Sequence, residues 1–90
     1  MAYPIKVSKD AEKDLLTAKC HYKASGLEQA FDLDFKNQIA YLQANPFLFQ
    51  VYYRSIRPAH FTHFKYSIHF MINNGEVYIL RILHHKQKFK

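Results

Sequence analysis

Tryptophan is absent from this chain of 90 residues, glycine occurs twice, proline three times and cysteine once, at Cys20. A single cysteine closes no internal disulfide and supplies no zinc-ribbon pair. That excludes a disulfide-stapled scaffold and leaves Cys20 as a small buried or half-buried side chain with nothing beside it to activate the thiol. No apolar run approaches the roughly 18 residues needed to cross a bilayer. The opening stretch from Met1 to Asp10 has no hydrophobic block ahead of its charges. Neither a membrane span nor signal-directed export is therefore expected, and the cytoplasm is the expected compartment. No internal repeat or low-complexity tract is visible.

Apolar bulk is plentiful: 49% of the residues are hydrophobic and 17% aromatic. That suffices for one core, since two would hold about 45 residues each, near the lower limit for unaided folding. One domain over residues 1–90 is expected. Carboxylates are scarce in the second half. Residues 1–45 balance six lysines with six acids, whereas residues 46–90 set Arg54, Arg57, Lys65, Arg81, Lys86, Lys88 and Lys90 against Glu76 alone. The whole net charge of +6 lies there, with five of the six histidines. Such a one-sided field draws polyanions or an acidic protein, although a solvated basic face without a specific partner is the plainer reading.

Tyr3 to Val7 reads as a short strand with Ile5 and Val7 on one side. Pro4 cannot donate to a ladder, which puts the strand at a sheet edge or makes Pro4 its first residue. Ser8 is placed to cap a helix whose first turn carries Asp10 and Glu12, and Ala11, Leu15, Ala18 and Tyr22 form its buried stripe. That helix ends near Gly26. Ser25-Gly-Leu-Glu28 has capping-box spacing for a second helix with the stripe Leu27, Phe31, Phe35, Ile39 and Leu42, stopped at Asn45-Pro46. A strand is expected over 51–57. Another runs from Lys65 to Ile72, where Tyr66, Ile68, Phe70 and Ile72 alternate with Lys65, Ser67, His69 and Met71. After a turn at Asn73-Asn-Gly75, Val77 to His84 is apolar on both faces, as in a central strand. The expected fold is α+β, in the order β-α-α-β-β-β: an antiparallel four-stranded sheet with the helical hairpin 9–44 on one face.

Two registers are open at that turn. A two-residue loop at Asn74-Gly75 pairs Ile72 with Val77 and puts Arg81 under the helices. A type I turn with Gly75 at a bulge pairs Ile72 with Glu76, sends Tyr78, Leu80 and Ile82 to the core and sets Arg81 beside Lys65, Ser67 and His69 on the open face. The second is preferred, because an unpaired buried charge costs several kcal/mol. The core quartet on the sheet is then Ile68, Phe70, Leu80 and Ile82.

The arrangement and several strings resemble the ParE/RelE superfamily of toxins from type II toxin–antitoxin systems, also described as plasmid stabilisation proteins. The carriers are Ala11-x-x-Asp-Leu15 behind the first strand, Leu42-x-x-Asn45-Pro46, Ile56-Arg57 ahead of Phe64-Lys-Tyr66-Ser-Ile-His-Phe70, and Val77-Tyr-Ile-Leu-Arg-Ile-Leu-His84. The last resembles the final strand of the ParE-like branch. The resemblance implies a toxin held inactive by a cognate antitoxin whose C-terminal part wraps it, with no cofactor. It also implies one of two targets, DNA gyrase for ParE-like members or mRNA on the ribosome for RelE-like nucleases.

Metal-independent RNA cleavage needs a base, an acid and cations around phosphorus. Candidates are His84 or His85 for protons and Arg81, Arg57 and Lys65 for phosphate. Tyr66, however, occupies the third-strand position where RelE-like nucleases usually have arginine, and the tail from His85 to Lys90 offers Phe89 and no tyrosine. The ParE-like branch is preferred, with Arg81, His84, His85, Lys86 and Arg57 as target-binding candidates. A toxin relic that only binds antitoxin is a further alternative.

Plainer readings stand beside these. His84 and His85 are neighbours on a strand and point to opposite faces, which disfavours a metal pair. His60 and His63 are expected in a solvated loop, and His69 on the open face. Tyr52 and Tyr53 suit either base stacking or packing on an antitoxin. Arg54 and Arg57 fall on opposite faces of the expected strand, and Arg81 could serve simply to hold the last strand. The carboxylates of the first helix are expected to pair with its own lysines. No helix-turn-helix is legible, and the helices lie in the neutral half, against a DNA-reading module.

Overall fold

A computed structural model describes residues 2–87. The elements are β1 (Ile5–Val7), α1 (Lys9–Lys23), α2 (Glu28–Ala44), β2 (Arg57–His60), β3 (Tyr66–Asn73) and β4 (Glu76–His84), with a short 3-10 turn at Pro46–Leu48 between α2 and β2. The sheet order is β1-β4-β3-β2. The expected order of elements holds, but the sheet is mixed. β1 runs parallel to β4, pairing Ile5 with Val77 and Val7 with Ile79, while β2–β3 and β3–β4 are antiparallel. A tight turn would have forced β1 antiparallel. It is followed instead by the helical hairpin, a connection long enough to deliver a parallel neighbour.

Ser8 caps α1 as expected, accepting the Ala11 N–H at 3.0 Å, and its hydroxyl also donates to the Leu80 carbonyl at 2.8 Å. Ala11 and Ala18 of the α1 stripe are fully packed, with Leu15 and Tyr22 beside them. The capping box does not form. Ser25 belongs to the end of α1, donating its hydroxyl to the Tyr22 carbonyl, and Gly26 at φ +74° lets the Leu27 N–H turn back to that same carbonyl. This is how a glycine-terminated helix satisfies its last carbonyls. Leu27 occupies the N-cap position of the new helix, with no side-chain cap bond and substantial exposure. Cys20 is exposed, not buried, because it falls off the stripe.

The β3–β4 turn takes the register that was not preferred. Asn74 and Gly75, at φ +53° and +75°, form a two-residue loop that pairs Asn73 with Glu76 and Ile72 with Val77. The ladder shifts between Phe70, which faces Ile79, and His69, which faces Arg81, so Leu80 is the extra residue of a bulge. The bulge puts Val77, Ile79 and Ile82 all in the core, with Ile68 and Phe70. Leu80 is only half-buried and Tyr78 is outside the core, so the expected placement of both is corrected.

β2 is displaced from its expected 51–57. Arg54 and Ser55 adopt φ +46° and +66°, Tyr53 bridges to Ile56, and the chain doubles back in a tight turn that spends the β-forming residues before the strand begins. The core gathers around Phe31, whose ring meets Tyr22 at 5.3 Å, Phe61 at 4.9 Å, Phe64 at 5.1 Å and Tyr66 at 5.2 Å. Among the described residues no helix is long and apolar enough to cross a membrane.

Candidate functional site

The register β2–β3–β4 aligns Ala59, Ile68 and Ile82 toward the helices, so their neighbours Pro58, His60, Ser67, His69 and Leu83 face the other way. On that helix-free face lies a groove of about 520 Å³, walled by these residues and by Tyr52, Tyr53 and Ile56 from the preceding turn, with His84, His85 and Gln87 at its end. Among the described residues no carboxylate lines it.

Ser67, 2% exposed, holds two imidazoles together. His85 Nε2 lies 3.1 Å from Ser67 Oγ and 3.2 Å from the Tyr66 carbonyl. A carbonyl only accepts, so Nε2 carries the proton and donates to both. Ser67 then gives its own hydrogen to His60 Nδ1, its second side-chain contact, which puts the His60 proton on Nε2. A directed chain runs from His85 through Ser67 to His60. The pKa of His60 lies below the ordinary 6.5 because burial, and then the nearby His85, disfavour its charged form. That of His69 is lowered by burial and then by His60, Arg81 and His85.

For a base with a depressed folded-state pKa, the unfolded chain takes up protons first. The penalty on the fold is therefore absent above the unfolded value of 6.5 and grows as pH falls below it. The double variant His60→Gln, His69→Gln is expected to lose less stability than wild type between pH 7 and pH 5. Urea melts across that range provide the check, and equal slopes would contradict the assignment.

Arg81 is not set beside Lys65. Its Nε and Nη2 donate to Asp14 of α1 at 2.7 and 3.0 Å, and the same carboxylate accepts the Ile82 N–H at 3.0 Å. β1 pairs with β4 only as far as Ile79, so beyond it the β4 edge has no strand partner. Ser8 takes the Leu80 carbonyl and Asp14 the Ile82 N–H, replacing the missing ladder with side chains from the start of α1. The guanidinium stays charged through its hydrogen bond to Asp14, which raises its pKa. The preferred register avoids an unpaired buried charge, but the Arg81 charge is paired, across 67 residues of chain. A double-mutant cycle on Asp14→Ala and Arg81→Ala is expected to give a coupling of about 1–3 kcal/mol in denaturant melts, with Asp14→Ala costlier because it also strands a backbone N–H. Additive losses would contradict the pairing.

Arg57 is likewise engaged within the fold, donating Nη1 to the Phe49 carbonyl at 2.6 Å with its guanidinium 5.4 Å from the Phe47 ring centroid. Arg54 sits in the turn, over the Tyr53 ring at 5.2 Å. Lys65 is exposed, and its carbonyl accepts the His85 N–H. His84 packs edge-on against Tyr66 at 5.1 Å and accepts the Lys86 N–H at Nδ1. Among the sequence-derived candidates, the structure thus brings His84 and His85 together in the groove with Lys86 next to them. Arg81 faces His69 along the ladder, and Arg57 and Lys65 do not line the groove. Phe89 lies outside the described residues.

Sequence reasoning left His60 in a loop. The shift of β2 to 57–60 sets it opposite Ser67, and the alternation of β3 that put Ser67 and His69 on one face was the available clue. Asp34 of α2 was also missed. It is buried and accepts the Thr62 and His63 N–H groups, tying down the loop between β2 and β3. Among the described residues no group of three or more His, Cys, Asp or Glu side chains is arranged to hold a metal ion.

Compared with known proteins, residues 5–89 match the family described as ParE toxin of type II toxin-antitoxin system, parDE. A solved structure of the chromosomal ParDE TA system from P. aeruginosa has the same fold, with a TM-score of 0.79 at 21% identity over 92% of this chain and 96% of that one. A search of curated proteins gave no match.

Proposed function

This chain belongs to the ParE toxin family of type II toxin–antitoxin systems, which gives it a cognate antitoxin as partner, and from that membership we propose that it acts in the cytoplasm on DNA gyrase. The observation that carries the choice of target is Tyr66. At the third-strand position where RelE-like nucleases usually have arginine, this chain packs a tyrosine among Tyr22, Phe31 and Phe61. Two of the three cations that a nuclease would turn on phosphate, Arg81 and Arg57, are held by Asp14 and the Phe49 carbonyl. His84, His85 and Lys86, at the end of β4, are the residues we assign to the target. Arg81 is a positioning residue that fixes the strand carrying them.

Induction in cells is the test. Growth arrest accompanied by broken DNA, with translation declining only later, and relief by the neighbouring antitoxin frame are expected. Collapse of translation with intact DNA would replace this reading by ribosome-dependent mRNA cleavage, and absence of arrest would make the chain a relic.

A further inference from the structure

The groove on the helix-free face has features that holding the fold together does not require. Its wall carries His60 from β2, His69 from β3, and His84 and His85 at the end of β4; Lys86 follows His85 in the chain, and Arg81, opposite His69 on the ladder, is turned to Asp14 and does not line the groove. At its rim, Arg54 and Ser55 are both at positive φ without being glycine, a strained conformation of the kind that recurs at binding sites. That turn presents Tyr52 with 81% of its surface in water and stacks Arg54 over Tyr53. The volume of about 520 Å³ falls within the range of pockets that take small ligands.

We propose that this groove seats a phosphate of a single-stranded nucleic acid, with Tyr52 as the stacking platform for an adjacent base. The hydrogen-bond chain through Ser67 leaves the His60 proton on Nε2, a donor on the groove wall, and locks both rings in place before any ligand arrives. Among the described residues no carboxylate lines the groove to repel an anion. Asp14, the acid paired with Arg81, is occupied by that guanidinium and the Ile82 N–H. An acidic peptide would satisfy the cations but has no use for an exposed tyrosine beside an arginine. Base stacking uses both. Burial, and then the neighbouring charged groups, disfavour protonation of His60 and His69, and a phosphate beside these two rings reverses that penalty, so binding takes up protons and strengthens as pH falls.

The test uses the purified chain alone, so it is independent of gyrase and antitoxin: fluorescence anisotropy of a labelled eight-residue oligothymidylate at pH 6 and pH 8, at fixed salt. Binding is expected to be tighter at pH 6. Tyr52→Ala, at a position too exposed to affect folding, is expected to weaken it by about tenfold. The double variant His60→Gln, His69→Gln, confirmed folded by circular dichroism, is expected to lose the pH dependence. Absence of binding, equal binding at the two pH values, or an unchanged affinity in Tyr52→Ala would overturn the proposal. So would an oligoglutamate peptide of the same charge that competes as well as unlabelled oligonucleotide, which would make the groove an acidic-peptide site.

Discussion

Phe31→Ala is expected to lower the unfolding free energy by about 3–5 kcal/mol, the range for deleting a buried phenyl ring from a core. The residue is fully buried, and its ring is the point where α1, through Tyr22, and the β2–β3 region, through Phe61, Phe64 and Tyr66, meet α2. No neighbour can collapse into the space without abandoning another ring contact, so the cavity term adds to the transfer term. A small domain holds only about 5–15 kcal/mol in total, and the variant should therefore unfold at a much lower urea concentration. Phe31→Leu, which keeps most of the volume, should lose well under half as much. A loss below about 1 kcal/mol in Phe31→Ala would mean that the aromatic cluster is not the packing centre.

Asp34→Ala comes next in expected effect. The carboxylate is 2% exposed and spends both oxygens on backbone: Oδ1 accepts the Thr62 N–H at 3.1 Å and Oδ2 the His63 N–H at 2.7 Å, while Gln38 Nε2 donates to Oδ1 at 3.4 Å. Gln38 also donates to Thr62 Oγ1, so one carboxylate and one amide of α2 fix the start of the loop that leads into β3. Removing the acceptor strands two backbone donors, at an expected cost of about 2–4 kcal/mol, and faster amide exchange at Thr62 and His63 should accompany it. Asp34→Asn keeps one oxygen and should lose roughly half. Unchanged exchange at both amides in Asp34→Ala would contradict the bond assignment.

Where the chain carried its own punctuation, the fold could be read from it. Ser8 before Ala11, the α1 and α2 stripes, Asn45-Pro46 and the alternation of β3 each follow from a local period or a cap. Long-range events left no local mark. Nothing between Tyr52 and Ile56 announces a tight turn, since neither Arg54 nor Ser55 is a residue that prefers positive φ. The displacement of β2 that brings His60 to Ser67 was thus hidden. The register was hidden in the same way: on sequence alone the two-residue Asn-Gly loop is disfavoured for placing Arg81 under the helices, and only the bulge at Leu80 reconciles that loop with a buried Ile82. The ion pair between Asp14 and Arg81 could not be seen from one helix and one strand taken separately. His84 and His85 were found by their place at the end of β4, whereas His60 and Ser67, which complete the network, required the tertiary pairing.

The role of Arg81 changes accordingly. On the expected register it belonged with Lys65 on an open face, free to meet a target. In the structure it braces the unpaired edge of β4 against α1, so loss of toxicity in Arg81→Ala would be expected from a loosened strand end as readily as from a lost contact. Lysine at 81 keeps the charge but not the two-pronged geometry toward Asp14.

The central claim, that this toxin acts on DNA gyrase, is tested most directly by adding the purified protein to purified gyrase with supercoiled plasmid and, in parallel, to translating ribosomes. The expected result is inhibited supercoiling with accumulation of gyrase-bound cleaved DNA, abolished by the cognate antitoxin, and uncut mRNA on the ribosomes. Unaffected gyrase together with mRNA cut on the ribosomes would contradict it.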